Sequence, residues 1–235
     1  NRASRGFSAL GPGRAWSGVK GADSPLLGCG ATPRAVQGGM DPRPIPLEGR
    51  HVRLEPLTLA HAPALLAALA EDASIWQWMS IEPPLSLEAM ETHIRSALDA
   101  QASGGQVAFV QVSLADGRAC GATRYLNISR TDRGLEIGWT WIGKRWQRTA
   151  INTEAKFLLL RHAFEVLGAA RVQLKTDARN LQSQAAIARI GGVREGVLRK
   201  YQKTRGDFLR DTVMFSIIDD EWPAVKERLV ARLGG

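Results

Sequence analysis

The stretch Gly134-Leu-Glu-Ile-Gly-Trp-Thr-Trp-Ile-Gly143, followed by Lys144-Arg-Trp-Gln-Arg-Thr-Ala-Ile-Asn-Thr-Glu-Ala-Lys156, decides the reading of this chain. Its first half carries Ile, Thr and Trp and reads as a strand. Its middle is a short basic turn with small residues. Its second half opens an amphipathic helix of about residues 152–167, with Leu158, Leu159, Ala163 and Val166 on one side. The first N–H groups of a helix have no acceptor within the helix. A strand that turns tightly into a helix therefore presents a row of free donors at the positive end of the helix dipole, a site suited to phosphate or pyrophosphate. The stretch predicts that the chain holds a phosphorylated ligand there.

Upstream, residues 51–57 alternate apolar and polar and read as a strand, and residues 60–70 are rich in Ala and Leu and read as a short helix. Ser86, with Glu88 and Glu91 behind it, opens a helix of about 86–103 that ends at Gly104-Gly105. Strands at about 106–114, 118–129 and 134–142 follow, punctuated by Asp116-Gly117 and Asp132-Arg-Gly134. Downstream lie a strand at 171–177 and a helix at about 181–190 that stops at Gly191-Gly192. Strands at 193–203 and 210–218 flank Thr204-Arg-Gly206-Asp, and a helix at 220–233 opens on Asp219-Asp-Glu-Trp-Pro223. This order predicts an α/β fold in which a mixed, mostly antiparallel central sheet carries helices on both faces. The connections are short, which makes residues 40–235 a single domain.

Composition narrows the function classes. Of 235 residues, 44% are apolar and 23% charged, the balance of a folded globular chain rather than a disordered one. There is no uninterrupted apolar run of about 18 residues to form a transmembrane helix. The two cysteines, Cys29 and Cys120, stand far apart and make neither a disulfide framework nor a ligand cluster. With the histidines lacking ligand spacing, the expectation is no metal and a reducing, cytoplasmic setting. The net charge is +8, and residues 1–39 hold five basic residues against Asp23, a net +4. That Gly/Ser/Arg-rich segment reads as disordered or as a non-native extension, with Met40-Asp-Pro-Arg-Pro as the natural opening. A transit peptide or a nucleic-acid-binding arm are the functional alternatives for it.

The turn Gln147-Arg-Thr-Ala150-Ile-Asn152 resembles the Gln/Arg-x-x-Gly-x-Gly/Ala signature of the GNAT acyltransferase superfamily, with Ala150 and Asn152 in place of small glycines. Lys175-Thr-Asp177-Ala-Arg-Asn180-Leu-Gln-Ser183 and Ile190-Gly-Gly192 resemble the family's next conserved segment. Glu195-Gly-Val-Leu-Arg199 and Arg210-Asp-Thr-Val-Met-Phe-Ser216 resemble the closing hairpin of its RimJ/RimL-type ribosomal-protein N-terminal acetyltransferases. The resemblance covers about residues 45–228. It implies acetyl-CoA, or another acyl-CoA, as co-substrate and a primary amine as acceptor: a protein N-terminus or a small molecule. The expected partner is that acceptor rather than nucleic acid or a membrane, and the expected state is a monomer or homodimer.

By the same resemblance, backbone N–H groups of Arg148, Thr149, Ala150, Ile151 and Asn152 hold the pyrophosphate, with Gln147, Arg148 and Arg145 adding side chains. Ala150 permits this only if its φ is negative. Trp139, Thr140 and Trp141 pair through their backbone with the pantetheine arm. Glu136 is the candidate general base for the acceptor amine. The alternative is a glutamate that faces solvent on strand alternation. Relatives place a tyrosine where this chain has Ile187, so the candidate proton donor to the leaving thiolate becomes Ser183, whose other reading is a helix N-cap, with Tyr201 and Tyr125 as alternative donors. Asn180 bonds the cofactor arm or serves as a turn residue. The competing function is a non-catalytic acyl-CoA-binding module or regulator. Trp76-Gln-Trp78-Met79 reads either as a wall for the acceptor or as a plug of the core.

Overall fold

A computed structural model describes residues 40–234. The expectations for residues 1–39 lie outside the described residues. The described chain begins its sheet with β1 (Leu47–Glu48) and β2 (Val52–Pro56). It continues through α1 (Ala62–Ala70), with Pro63 in the first turn, where a missing N–H costs nothing. α2 (Leu87–Ala102) starts where the Ser86 hydroxyl accepts the Ala89 N–H at 3.1 Å. β3 (Gln106–Ser113), β4 (Ala119–Ser129) and β5 (Gly134–Ile142) form a meander. Next come α3 (Ala150–Arg161), β6 (Arg171–Asp177), α4 (Leu181–Arg189), β7 (Val193–Lys203), β8 (Leu209–Ile218) and α5 (Trp222–Gly234).

The strands make one mixed sheet in the order β1-β2-β3-β4-β5-β6-β8-β7. All neighbours are antiparallel except β5 and β6. That exception follows from connectivity, because α3 is the crossover that brings the chain back parallel. The expected α/β architecture and nearly all element positions are present. Two differ. β1 is too short to show an alternation. α3 begins at Ala150, two residues early, and after Arg161 it widens into a π turn over His162–Val166. The wider turn rotates later side chains off the apolar stripe, so Val166 is 56% exposed rather than buried with Leu158 and Leu159.

Two local irregularities shape the site. The parallel ladder covers only Gly134↔Arg171, Leu135↔Val172 and Glu136↔Gln173, and beyond Glu136 the two strands part. On the other edge of β5, Ala122 opposes Trp141 and Arg124 opposes Gly138, leaving Trp139 and Thr140 against Thr123 alone. This is a β-bulge, and Trp139 sits in it at φ 51°. The bulge is packed from outside the sheet. The Arg124 guanidinium lies 4.7 Å from the Trp139 ring centre and bonds His93 Nε2 at 3.0 Å. Burial holds His93 down to about 4 and Arg124 down to about 10, and the neighbouring Arg124 charge adds to the effect on His93.

α3 is tied to the sheet by an acid. The buried Glu154 carboxylate accepts the backbone N–H groups of Arg50, His51 and Val52 at 2.8, 2.6 and 2.8 Å. These donors belong to the β1–β2 turn, so one side chain fixes the turn against α3. A side chain at Gly49 would meet that carboxylate at 2.4 Å, which explains the glycine.

Candidate active site

Where β5 and β6 part, a cleft of about 550 Å³ opens, bordered by β5, β6, the start of α3 and α4. Of the residues named from sequence, Glu136, Trp139, Thr140, Trp141, Gln147, Arg148, Thr149, Asn152, Asn180 and Ser183 all line it. Ala150 and Ile151 are not part of its lining; Ile151 is buried in the core and Ala150 is half-buried on the first turn of α3.

The turn at the mouth of the cleft has a definite build. Thr149 is the N-cap of α3; its hydroxyl donates to the Trp146 carbonyl at 2.7 Å and accepts the Ile151 N–H at 3.3 Å. Ala150 is the first helical residue, so its backbone needs no glycine. The positive φ falls on Arg148, at 62°. The departure from the glycine pattern at position 150 therefore carries no conformational cost. Gln147 turns inward and donates to the Ile142 carbonyl at 3.2 Å, holding the turn to the end of β5. Arg148 and Thr149 are exposed at the mouth. The Asn152 side-chain oxygen is buried and has no hydrogen-bond donor. Such an orphan acceptor costs about 1–3 kcal/mol unless a ligand or water supplies the donor.

Glu136 is not a solvent-facing strand residue; it is 2% exposed. Its Oε2 accepts from Asn127 Nδ2 at 2.8 Å and Gln173 Nε2 at 3.1 Å, and Lys175 Nζ stands 3.1 Å away. All three partners converge on one oxygen. The other, Oε1, makes no hydrogen bond among the described residues and lies 3.0 Å from where a Cβ on Gly138 would be. The glycine leaves room beside it. A carboxylate fixed through one oxygen and open at the other can take a proton from a group entering the cleft.

At the far wall, Asn180 Oδ1 accepts the Ser183 N–H at 3.0 Å, which makes Asn180 the N-cap of α4. Ser183 is therefore not the cap. Its hydroxyl borders the cleft and makes no hydrogen bond among the described residues. The Trp76–Met79 segment divides between its two readings. Trp76 is fully buried and packs edge-on against Trp141 at 5.5 Å, while Trp78 and Met79 line the cleft. Cys120 is buried and unpaired among the described residues, and burial pushes its thiol up to about 12, consistent with a small core residue.

Charged groups of this cleft to which the sequence assigns no role include Lys156, Lys175 and Arg210. Arg210 is buried, and it donates to Gln202 Oε1 at 3.1 Å and the Trp78 carbonyl at 3.4 Å, which fastens the Trp78 loop to β8. Lys156 is 7% exposed, and its Nζ donates to Thr140 Oγ1 at 2.5 Å. Gln173 and Lys175 alternate on β6 with the buried Val172 and Leu174, and that alternation is a usable signal that the two share one face.

A mixed sheet that splits beside a helix N-terminus, with a fixed carboxylate in the split, is the architecture of a coenzyme-dependent acyl-group transferase. Residues 51–193 match the family model described as the Acetyltransferase (GNAT) domain. This chain belongs to the GNAT acetyltransferase family.

Its fold is similar to the crystal structure of a GCN5-related N-acetyltransferase from Brucella melitensis, at 33% identity and a TM-score of 0.76, covering 81% of this chain and 86% of that one. Mycobacterium smegmatis RimJ, solved with CoA-disulfide, shares the fold at 24% identity and a TM-score of 0.69, covering 80% and 92% of the two chains. YdaF of Bacillus subtilis, named provisionally as a ribosomal N-acetyltransferase, is 34% identical over 113 residues. That match spans 48% of this chain and 61% of YdaF, under two thirds of the relative's length. The similarity to YdaF agrees with the RimJ/RimL-type resemblance of the closing hairpin. Among the described residues no helix is long and apolar enough to cross a membrane.

Proposed function

We propose that this protein transfers an acetyl group from acetyl-CoA to a primary amine, and that the amine is a protein N-terminus of the ribosomal-protein type. The observation that carries this reading is the split between β5 and β6, with the α3 N-terminus at its mouth and Glu136 inside. The acceptor class follows the names of the relatives.

The residues present fit the co-substrate. The free N–H groups at Arg148 to Ala150 and the exposed Arg148 side chain suit a pyrophosphate. The orphan Asn152 oxygen suits an amide N–H, and pantetheine carries two. Past Glu136 the edge of β5 facing the gap has no strand partner, so its backbone groups are available to an extended amide chain.

In the reaction, the acceptor enters as an ammonium ion and must shed a proton before its nitrogen attacks the thioester carbonyl. Glu136 Oε1 takes that proton directly or through a water, while Asn127, Gln173 and Lys175 keep the carboxylate from turning away. The departing thiolate lies within the same cleft as the Ser183 hydroxyl, which donates to it. The cleft supplies position more than activation, because a thioester is already reactive.

The test is calorimetric titration of acetyl-CoA and free CoA, coupled to thiol release against a panel of ribosomal-protein N-terminal peptides and small amines. Binding with peptide-dependent release is the expected result. Binding with no release from any amine would favour the non-catalytic module, and no binding would overturn the whole reading.

A further inference from the structure

Lys156 plays no part in the mechanism above, yet it is a primary amine in the same cleft. It sits on the inner side of α3, one hydrogen bond from Thr140, in the β5 segment assigned to the pantetheine arm. It forms no ion pair among the described residues, and burial alone holds it down to about 7. Thr140 Oγ1 is also 2.8 Å from Thr123 Oγ1, so the lysine is positioned by the bulge itself.

Lys156 and Glu136 reach the gap from opposite faces of the sheet. Glu136 opposes Leu126 across the β4–β5 ladder and shares its face with Arg124, which bonds His93 on α2. Thr123, one residue from Arg124, faces the other way, toward α3, as does Tyr125, whose hydroxyl donates to the Leu159 carbonyl at 2.6 Å. A planar thioester in the gap would have one face toward the Glu136 side and the other toward Lys156.

We propose that Lys156 is a self-acylation site, modified by the acyl-CoA bound in the cleft. The inference rests on the proposed co-substrate. The Lys156 nitrogen lone pair adds to the thioester carbonyl carbon, the C–S bond breaks, and an amide forms. The sulfur leaves as CoA thiolate and is protonated by the proton that the attacking nitrogen releases. No oxidant, metal or acceptor is needed. The acylated side chain loses its charge and fills part of the cleft, so the modified protein binds acetyl-CoA less tightly.

Selectivity is the distinguishing feature. At pH 7 about half of an amine titrating near 7 is neutral, against roughly one part in a thousand or less for an ordinary exposed lysine. That is a difference of about 10³ in free amine.

The experiment incubates the full chain with acetyl-CoA and no acceptor, and follows intact mass, peptide mapping and calorimetric binding in parallel. The expected result is a single acetyl addition, mapped to Lys156 and absent in Lys156→Arg, whose CoA binding persists. Acetyl-CoA binding with Lys156 unmodified would overturn the inference and leave the co-substrate reading standing. So would acetylation spread over exposed lysines to the same extent as in the urea-unfolded chain. Absence of binding would overturn both.

Discussion

Replacing Ala150 with aspartate separates the ligand-binding role of the turn from its folding role, because affinity should fall while stability barely moves. Ala150 is the first residue of α3, whose first turn carries no acidic side chain. In the free protein a carboxylate there faces the positive end of the helix dipole, worth about 0.3–1 kcal/mol. The poorer helix propensity of aspartate offsets roughly half a kcal/mol of this. Net stability should stay within about 0.5 kcal/mol of the parent. With a pyrophosphate bound at the same N–H groups, the new charge stands on the order of 6 Å from the ligand charges. At an effective dielectric between bulk water and a protein surface, that repulsion is about 1–3 kcal/mol. Taking about 2 kcal/mol, CoA affinity should fall roughly 30-fold. The assay pairs calorimetric titration of CoA with thermal unfolding in its absence. An unchanged Kd at unchanged Tm would show that no phosphate sits on this turn, and the reasoning from helix N-terminus to co-substrate would fail.

Glu136→Gln keeps the shape of the cleft and removes the base; turnover of the identified acceptor should drop by about 10²–10⁴ with CoA affinity nearly unchanged. Equal rates for variant and parent across pH would take Glu136 out of the proton transfer. His93 is held down to about 4 by burial, so the unfolded chain takes up its proton below about 6.5 while the folded one resists until about 4. Stability should therefore decline as pH falls across that window, by up to about 3 kcal/mol, and level off below it. Urea titrations of His93→Gln should show a flatter profile there, and an unaltered slope would assign the acid loss elsewhere. Glu154→Ala strands three backbone donors at once and should cost about 3–5 kcal/mol. At this chain size that is a Tm drop of roughly 10 °C, and a loss under 2 °C in a thermal melt would mean that the β1–β2 turn finds other acceptors.

The strands of the central meander are legible because their runs are bounded by the Asp116-Gly117 and Asp132-Arg-Gly134 turns, not because they alternate: β3 is buried along its whole length. The start of α3 was legible in principle, since Thr149 is a good cap. Reading the basic turn as one continuous phosphate loop drew the boundary two residues late. The π turn after Arg161 has no local signature; packing of Phe164 on Trp222 and the Tyr125 bond to the Leu159 carbonyl are contacts between distant segments. Asn180 and Ser183 were both marked, but three-residue spacing does not say which one caps. Lys156 does carry a sequence signal: it is a lone basic residue among Ala155, Phe157, Leu158, Leu159 and Leu160. A charge inside an apolar helix face calls for a partner, and here the partner came from a strand.

The three-residue ladder between β5 and β6 also bears on how long the protein lasts. Amide hydrogens along Gly138 to Ile142 on the side facing β6 have no strand to protect them, so they should exchange early in the free protein. On the proposed reading, an acyl-CoA lying there supplies the missing hydrogen bonds and closes the sheet. A ligand at a hundred times its Kd adds about 2.7 kcal/mol to folded stability by mass action alone. On that reading the β5 edge beyond Glu136 is hydrogen-bonded only while substrate is bound, and resistance to proteolysis follows the supply of acyl-CoA.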